Sequence, residues 1–147
     1  MNKRILSLLF AITLPFLACT AQRRADSLYI ANALLDMAES FDWGGDAAEG
    51  LLLEGFLDDG DGFYLLPFID DNGQEIAMCY ALISGDFFVI ACQLSYKITK
   101  EVLTNRYGRQ DAYEGSAPFW KKTGYRVYAM KDGFLDLVRR KEEVPLH

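Results

Sequence analysis

The sequence predicts an α+β domain, in which an antiparallel β-sheet (a meander of four strands plus a C-terminal hairpin) carries two helices packed mainly on one face. The first observation is the stretch 62–95, where apolar runs are separated by Asn72-Gly73 and Gly85-Asp86, dipeptides typical of tight hairpin turns. The second is the helical spacing of apolar residues in Asp26–Phe41 and Tyr96–Tyr107. The predicted order is therefore helix, four strands, helix, a short strand and a hairpin.

The chain begins with the layout of a secretory signal peptide over residues 1–21: basic residues, an apolar run and then small residues. The apolar run is too short to predict a transmembrane helix. Two processing routes remain open: cleavage after Ala21, or cleavage before Cys19 with lipidation of that cysteine, because residues 16–19 are similar to a bacterial lipoprotein box. Either route predicts export to the periplasm or out of the cell and leaves residues 22–147 as one globular domain. Only the second route would attach the chain to a membrane, through the lipid on Cys19.

The first predicted helix, Asp26–Phe41, has one apolar stripe and is expected to lie on the sheet. Asp26 or Ser27 can serve as its N-cap, and the glycine pair after Trp43 ends it. Trp43 either fills the seam between helix and sheet or lines a cleft. The apolar run Leu51–Leu57 is predicted to be the first strand, buried on both faces.

An acidic turn is predicted at residues 58–62, before the strand Phe63–Ile69, in which Pro67 indicates a sheet edge or a bulge. The spacing of the acidic residues does not match a calcium-binding loop. Because a meander places alternate turns at the same end of the sheet, four aspartates are expected to cluster there: Asp58, Asp59, Asp61 and Asp86. They are either solvated turn residues or a surface for a cation or a cationic partner.

The predicted strands 76–83 and 87–94 flank the Gly85-Asp86 turn, and a two-residue loop there places Cys79 directly opposite Cys92. A disulfide can form at that separation, and an oxidising compartment would favour it. The alternative is two free thiols that pack as small apolar side chains. Both strands are apolar on both faces, so the sheet needs two covers. The helices would supply one, and a curled sheet, a loop or another subunit the other.

The second predicted helix follows Ser95, which can cap it, and ends at Gly108. Residues 109–118 are then expected to form a loop, and Phe119-Trp120 to begin a short strand.

The last predicted hairpin joins Tyr125–Met130 to Phe134–Arg140 through a two-residue turn, Asp132-Gly133. This register would place Arg126 opposite Arg139. Since opposed arginines repel, we expect an anion, an acidic residue or an aromatic ring beside them.

Charge is divided unevenly along the chain. Residues 25–96 contain fourteen Asp and Glu but no Lys or Arg, whereas residues 97–147 contain eleven Lys and Arg against seven acidic residues. Either the two parts neutralise each other within one sheet, or the acidic part is a surface that steers a cationic partner. Nucleic acid and anionic membranes are disfavoured as partners.

The only histidine is His147, which excludes Ser-His-Asp and Cys-His catalysis and His-rich zinc sites. The sequence has no phosphate-binding glycine loop and no C-x-x-C motif. We therefore predict no cofactor and no metal and assign no catalytic residue, although a hydrolase with a pair of carboxylates stays open.

Together these observations predict an exported, non-catalytic domain of the bacterial cell envelope that binds a protein or peptide partner through its acidic turns or the second face of its sheet. One alternative is a small carboxylate-dependent hydrolase or a sugar-binding domain, with a cleft lined by Trp43, Trp120 and residues 109–118. Another is a structural homo-oligomer that covers the second sheet face by self-association.

Overall fold

The computed structural model describes residues 16–140, and for residues 16–20 the backbone alone. The elements follow each other as α1 (Phe16–Ser40), α2 (Ala47–Leu53), β1 (Leu57–Gly60), β2 (Phe63–Ile69), β3 (Glu75–Ser84), β4 (Phe87–Gln93), α3 (Tyr96–Tyr107), β5 (Ala112–Glu114), β6 (Ala117–Lys122), β7 (Tyr125–Ala129) and β8 (Phe134–Arg139). The strands form one antiparallel sheet in the order β1-β2-β3-β4-β8-β7-β6-β5. The predicted α+β class, with helices mainly on one side of an antiparallel sheet, is confirmed.

The first helix is longer than predicted, because α1 begins at Phe16 rather than at Asp26. The ten residues in between contain no glycine or proline that would stop a helix. The predicted apolar stripe is buried against the sheet. Residues 1–15 and the side chain of Cys19 lie outside the described residues, so the signal peptide and the lipidation of Cys19 stay predictions. The tail that ends in His147 also lies outside them.

The predicted strand Leu51–Leu57 is wrong, because its first three residues end the short helix α2 and only its last residue belongs to a strand. Asp46 is the N-cap of this helix, and its carboxylate accepts a hydrogen bond from the backbone N–H of Glu49 at 3.1 Å. Leu51 is fully buried, whereas the two leucines after it are 53% and 81% exposed. The leucine run therefore lies on a helix that buries one of its three leucines, and it does not form a strand buried on both faces.

The central hairpin has the predicted register, with Cys79 directly opposite Cys92 in the pairing of β3 with β4. Both cysteines are buried free thiols, so the predicted disulfide is absent from the structure. The sulfur of Cys92 lies 3.6 Å from the carbonyl oxygen of Met78, and that of Cys79 lies 3.9 Å from the carbonyl oxygen of Tyr80. The thiols thus point at backbone acceptors and pack as small apolar groups.

Pro67 lies where the sequence predicts a sheet edge or a bulge. β1 pairs with β2 only between Phe63 and Leu65, so no described strand pairs with Pro67 on that side. The pairing of β2 with β3 also shifts register between Phe68 and Ile69. Both features accommodate a residue that has no backbone N–H, and the prediction is confirmed.

The helix α3 begins and ends as predicted. The Ser95 hydroxyl oxygen accepts a hydrogen bond from the backbone N–H of Ile98 at 3.5 Å, and Gly108, with a φ of 81°, ends the helix. The predicted loop 109–118 is wrong in part, since it contains β5 and the start of β6. Gly115 and the serine after it form a two-residue hairpin loop between these strands.

The last hairpin is present, but its register differs by one residue from the prediction. Tyr125 pairs with Arg139, and Arg126 pairs with Val138, so the two arginines do not oppose each other. The backbone N–H of Met130 donates to the carbonyl of Phe134 at 2.9 Å, which leaves three residues in the loop instead of two. The third is a glycine with a φ of 100°, the left-handed residue that three-residue hairpin loops use.

The sheet has two unlike faces. One faces the helices, and its side chains form the main core with the buried helix residues, among them Cys79, Phe88 and Leu137. The alternate residues of the same strands form the other face, which we call the open face. Over β6 and β7 this face carries a small buried cluster of Ala117, Phe119 and Tyr128. Over β1–β4 it keeps several large apolar side chains exposed.

Candidate functional site

The four aspartates predicted to form a binding surface are all exposed. Asp58 and Asp59 lie in β1 rather than in a turn, and the carboxylate of Asp58 accepts a hydrogen bond from the backbone N–H of Gly60 at 2.9 Å. Asp61 lies in the β1–β2 turn and Asp86 in the β3–β4 turn, which the antiparallel pairing places at the same end of the sheet. Within residues 16–140, no group of three or more His, Cys, Asp or Glu side chains could hold a metal ion.

Trp43 and Trp120 are buried and do not line an open cleft. Trp43 stacks on Tyr125, with ring centroids 4.5 Å apart, and its indole N–H donates to the carbonyl of Ala38 at 2.9 Å. The indole N–H of Trp120 donates to the carbonyl of Gly108 at the same distance. Of the two alternatives for Trp43, the structure has the one in which it fills the seam between helix and sheet.

The open face over β1–β4 is apolar and accessible. Four of its large side chains are about half exposed or more: Leu57 (61%), Phe63 (48%), Tyr80 (47%) and Phe87 (50%). Cross-strand pairing places them on one face, since Leu65 pairs with both Leu57 and Tyr80, and Leu82 pairs with both Phe63 and Val89. This apolar surface is bordered by the turns that carry Asp61 and Asp86.

The apolar surface continues into a pocket on the open face with a volume of about 640 Å³. The pocket follows β8 from Asp136 to Arg140, with β4 on one side and β7 and β5 on the other. Its apolar lining consists of Phe87, Met130 and Val138, and its polar lining consists of Asp86, Glu114, Tyr128, Asp136, Arg139 and Arg140.

The arginine end of the pocket is a network around one carboxylate. A Glu114 carboxylate oxygen lies 3.4 Å from a guanidinium nitrogen of Arg140 and 3.9 Å from one of Arg126. The same oxygen accepts a hydrogen bond from the Tyr128 hydroxyl at 3.3 Å. The Arg126 guanidinium also lies over the ring of Phe119, 4.5 Å from its centroid. The acidic residue and the aromatic ring expected beside the arginines are therefore present, although the pairing that predicted them is wrong.

The other end of the pocket holds Asp136, which the sequence reasoning missed. Asp136 is partly buried and pairs with Tyr128 on one side and Ala91 on the other. No described residue donates a hydrogen bond to its carboxylate. Burial, and then the nearby charge of Asp132, raise the pKa of Asp136 to about 6. The sequence pattern that could have identified Asp136 is an aspartate on the same face of an apolar strand as Phe134 and Val138.

A second charged cluster lies on the helix side and joins α1 to α3. Arg106 is hydrogen-bonded to Asp36, Glu39 and Asn32, and the Tyr107 hydroxyl donates to Glu39 at 2.9 Å. The hydrogen bonds from Arg106 and Tyr107 lower the pKa of the Glu39 carboxyl. The hydrogen-bond partners of Arg106 all lie on α1, and the ring of Tyr107 also contacts Lys122 of β6. Because these contacts join elements of the fold to each other, we assign the network to the stability of the fold.

The fold and the site define a small α+β domain with helices on one face of an antiparallel sheet and an accessible apolar surface with a pocket on the other. No protein-family model, no curated protein and no solved structure matches the chain. Among the described residues, no helix combines the length and the apolar character needed to cross a membrane.

Proposed function

We propose that this chain is an exported, non-catalytic binding domain of the cell envelope that recognises a cationic segment of a protein or peptide through its open face. The observation that carries the proposal is the accessible apolar surface over β1–β4, bordered by acidic turns. Export rests on the layout of residues 1–21 alone.

Tyr80 and Phe87 lie at the centre of the proposed apolar contact. Both project from strands inside the sheet rather than from loops, and each is about half exposed. Burying apolar surface contributes about 25 cal/mol per Å², and aromatic side chains near the centre of an interface contribute most of its binding energy. A contiguous apolar patch on a sheet face is therefore expected to contact a protein partner rather than to stay exposed to water.

The acidic segment of the chain supports a cationic partner. The apolar surface is built from residues 57–93, a stretch that contains no Lys or Arg. Asp58, Asp59, Asp61 and Asp86 are exposed beside it. An acidic border raises the association rate of a basic partner and rejects an acidic one. The partner segment is therefore expected to combine basic and apolar residues.

A photocrosslinking experiment tests this proposal. A benzophenone amino acid is placed at Tyr80 or at Phe87 in the full chain in its native host, and, as a matched control, at Tyr29 or Tyr113, which are 63% and 55% exposed outside the apolar surface. We expect one defined adduct from positions 80 and 87 that is absent from 29 and 113, with the crosslinked segment of the partner rich in Lys or Arg. No adduct, or the same adducts from all four positions, would overturn the proposal.

The same experiment separates the two competing functions. An adduct between two copies of this chain from positions 80 and 87 would identify the structural homo-oligomer instead. The hydrolase stays an alternative because Glu114 and Asp136 line one pocket and the pKa of Asp136 is raised to about 6, as it is in many general acids. Turnover of a glycan or peptide substrate that is lost in Asp136→Asn would favour that alternative.

A further inference from the structure

We propose that the Asp136 end of the pocket receives one lysine or arginine side chain of the partner, with the Asp136 carboxylate as its counter-ion. This inference rests on the proposed function and deepens it, because it assigns a specific anchor point within the open face.

The Asp136 carboxylate has no hydrogen-bond donor among the described residues. It lies on the open face between Ala91 and Tyr128 and is partly buried. Tyr128, its direct cross-strand neighbour, donates a hydrogen bond from its hydroxyl to Glu114 instead. A partly buried carboxylate without a partner is costly. A cationic group entering the pocket from outside would supply the partner that residues 16–140 do not.

The pocket lining beside Asp136 is apolar. Val138 follows Asp136 on the same face of β8, and Met130 lies at the end of β7 beside it. Lysine and arginine side chains have an apolar stem and a charged head, and they lay the stem along apolar surface while the head reaches a polar partner. A pocket with apolar walls and a carboxylate at one end matches that shape.

The neighbouring cations among the described residues contact other groups and do not pair with the Asp136 carboxylate. Arg140 lies four residues along the strand, roughly 14 Å away at 3.4 Å per residue, and bonds to Glu114. Arg126 also faces Glu114, and the guanidinium of Arg139 lies over the ring of Phe88 and donates to the carbonyl of Asp86 at 3.3 Å. Lys131 bonds to the Tyr96 hydroxyl at 2.9 Å. Asp132, the remaining neighbour, adds negative charge.

The proposal makes cation binding depend on pH. With a pKa of about 6, Asp136 is mostly protonated at pH 5 and mostly ionised at pH 7. Because a protonated carboxyl does not attract a cation, affinity for a basic side chain is expected to rise about tenfold over that range.

The experiment uses butylguanidinium, which reproduces the head and stem of arginine, and N-butylurea as its uncharged counterpart. Each is titrated into the ¹⁵N- and ¹³C-labelled chain, and binding is followed through the NMR signals of Val138, Met130 and the Asp136 carboxyl carbon. The variants are Asp136→Asn, the charge-keeping Asp136→Glu, and Asp71→Asn as a control in the exposed β2–β3 turn.

We expect saturable binding of butylguanidinium to the unmodified chain and to Asp71→Asn, about tenfold tighter at pH 7 than at pH 5. Asp136→Asn should lose it, Asp136→Glu should keep part of it, and N-butylurea should not bind. Absence of saturation at pH 7, equal binding to Asp136→Asn, or equal binding of the urea would each overturn the inference. Crosslinking at Tyr80 and Phe87 reads a different part of the open face, so a crosslinked partner together with no butylguanidinium binding would remove this inference alone.

Discussion

Asp136 and Tyr128 lie directly opposite each other in the pairing of β8 with β7, yet the Tyr128 hydroxyl donates to Glu114 and not to Asp136. The tyrosine thereby completes the network that holds Arg140, whose guanidinium donates to the same hydroxyl at 2.5 Å. The aspartate is left facing the pocket. This choice of partner divides the pocket into an arginine end, which contains Glu114, and an end that holds the Asp136 carboxylate.

The free energy of unfolding should depend on pH through Asp136. Its pKa is about 6 in the folded chain and about 3.9 for an unfolded aspartate. The folded state therefore holds the proton more tightly, so this contribution to stability is full below about pH 4 and is lost as pH rises through about 6. Relative to Asp136→Asn, the unmodified chain should lose about 1–2 kcal/mol between pH 4 and pH 7, a value reduced for partial exposure. Urea unfolding of both proteins at four pH values measures this, and parallel pH profiles would contradict it.

Removing Arg106 should destabilise the fold by loosening α1 from α3. Its side chain is 20% exposed and bonds to Asp36 and Glu39, and hydrogen bonds between charged groups contribute about 1.5–3 kcal/mol. We expect Arg106→Ala to lower the free energy of unfolding by about 1–2 kcal/mol. The control is Arg24→Ala, which breaks an exposed ion pair with Glu101 and should cost less than about 0.5 kcal/mol. Equal losses in the two variants would count against the assigned role of the network.

Trp43 should be essential to the core and not to binding. Its ring stacks on Tyr125 and contacts Phe41 and Phe88, and truncating a buried tryptophan costs about 3–5 kcal/mol. Trp43→Ala is therefore expected to lower the melting temperature strongly, whereas Tyr113→Ala, at an exposed site, should leave it nearly unchanged. A stable Trp43→Ala protein that had lost its partner would instead return Trp43 to the binding surface.

The two cysteines should be unreactive thiols in the folded protein. Both side chains are fully buried, which keeps reagents away from them. The hydrogen bond with Cys92, and then burial, raise the pKa of Cys79, whereas the same hydrogen bond lowers the pKa of Cys92, so burial alone protects Cys92. We expect iodoacetamide to label neither Cys79 nor Cys92 in the native state and to label both after unfolding in guanidinium chloride. Intact mass without reductant provides the check. A mass lower by two hydrogens, with no labelling after unfolding, would show that the predicted disulfide forms.

The exposed aspartates at the border of the apolar surface should govern how fast a basic partner associates. Changing Asp58, Asp59, Asp61 and Asp86 together to Asn removes four exposed charges. Long-range attraction acts mainly on the association rate and is screened by salt. For a partner identified by crosslinking, we expect slower association at low salt, little change in dissociation, and no difference from the unmodified chain at high salt. An association rate that is insensitive to both the substitution and salt would exclude steering by these residues.

Local signals predicted most of the elements. The helix α3 begins after Ser95 and ends at Gly108, because a hydroxyl cap and a left-handed glycine act within one turn of the chain. The two-residue turn at Gly85-Asp86 set the pairing of Cys79 with Cys92 for the same reason. Where the local signal was ambiguous, the prediction was wrong: the apolar run at Leu51 fits a buried strand or a helix, and periodicity alone does not separate them over so few residues.

The site depended on information that local patterns do not carry. The loop at Gly133 differs by one residue from the predicted one, and in a hairpin that difference moves every cross-strand neighbour. The same register places Asp136 opposite Tyr128, while the strand order brings Glu114 of β5 within reach of Arg140 after β8. By itself, the sequence determined the class of fold, both ends of the helix α3, the central hairpin and the uneven distribution of charge. The tertiary structure alone decided which charged groups meet, because those contacts join strands that are distant in sequence and depend on register.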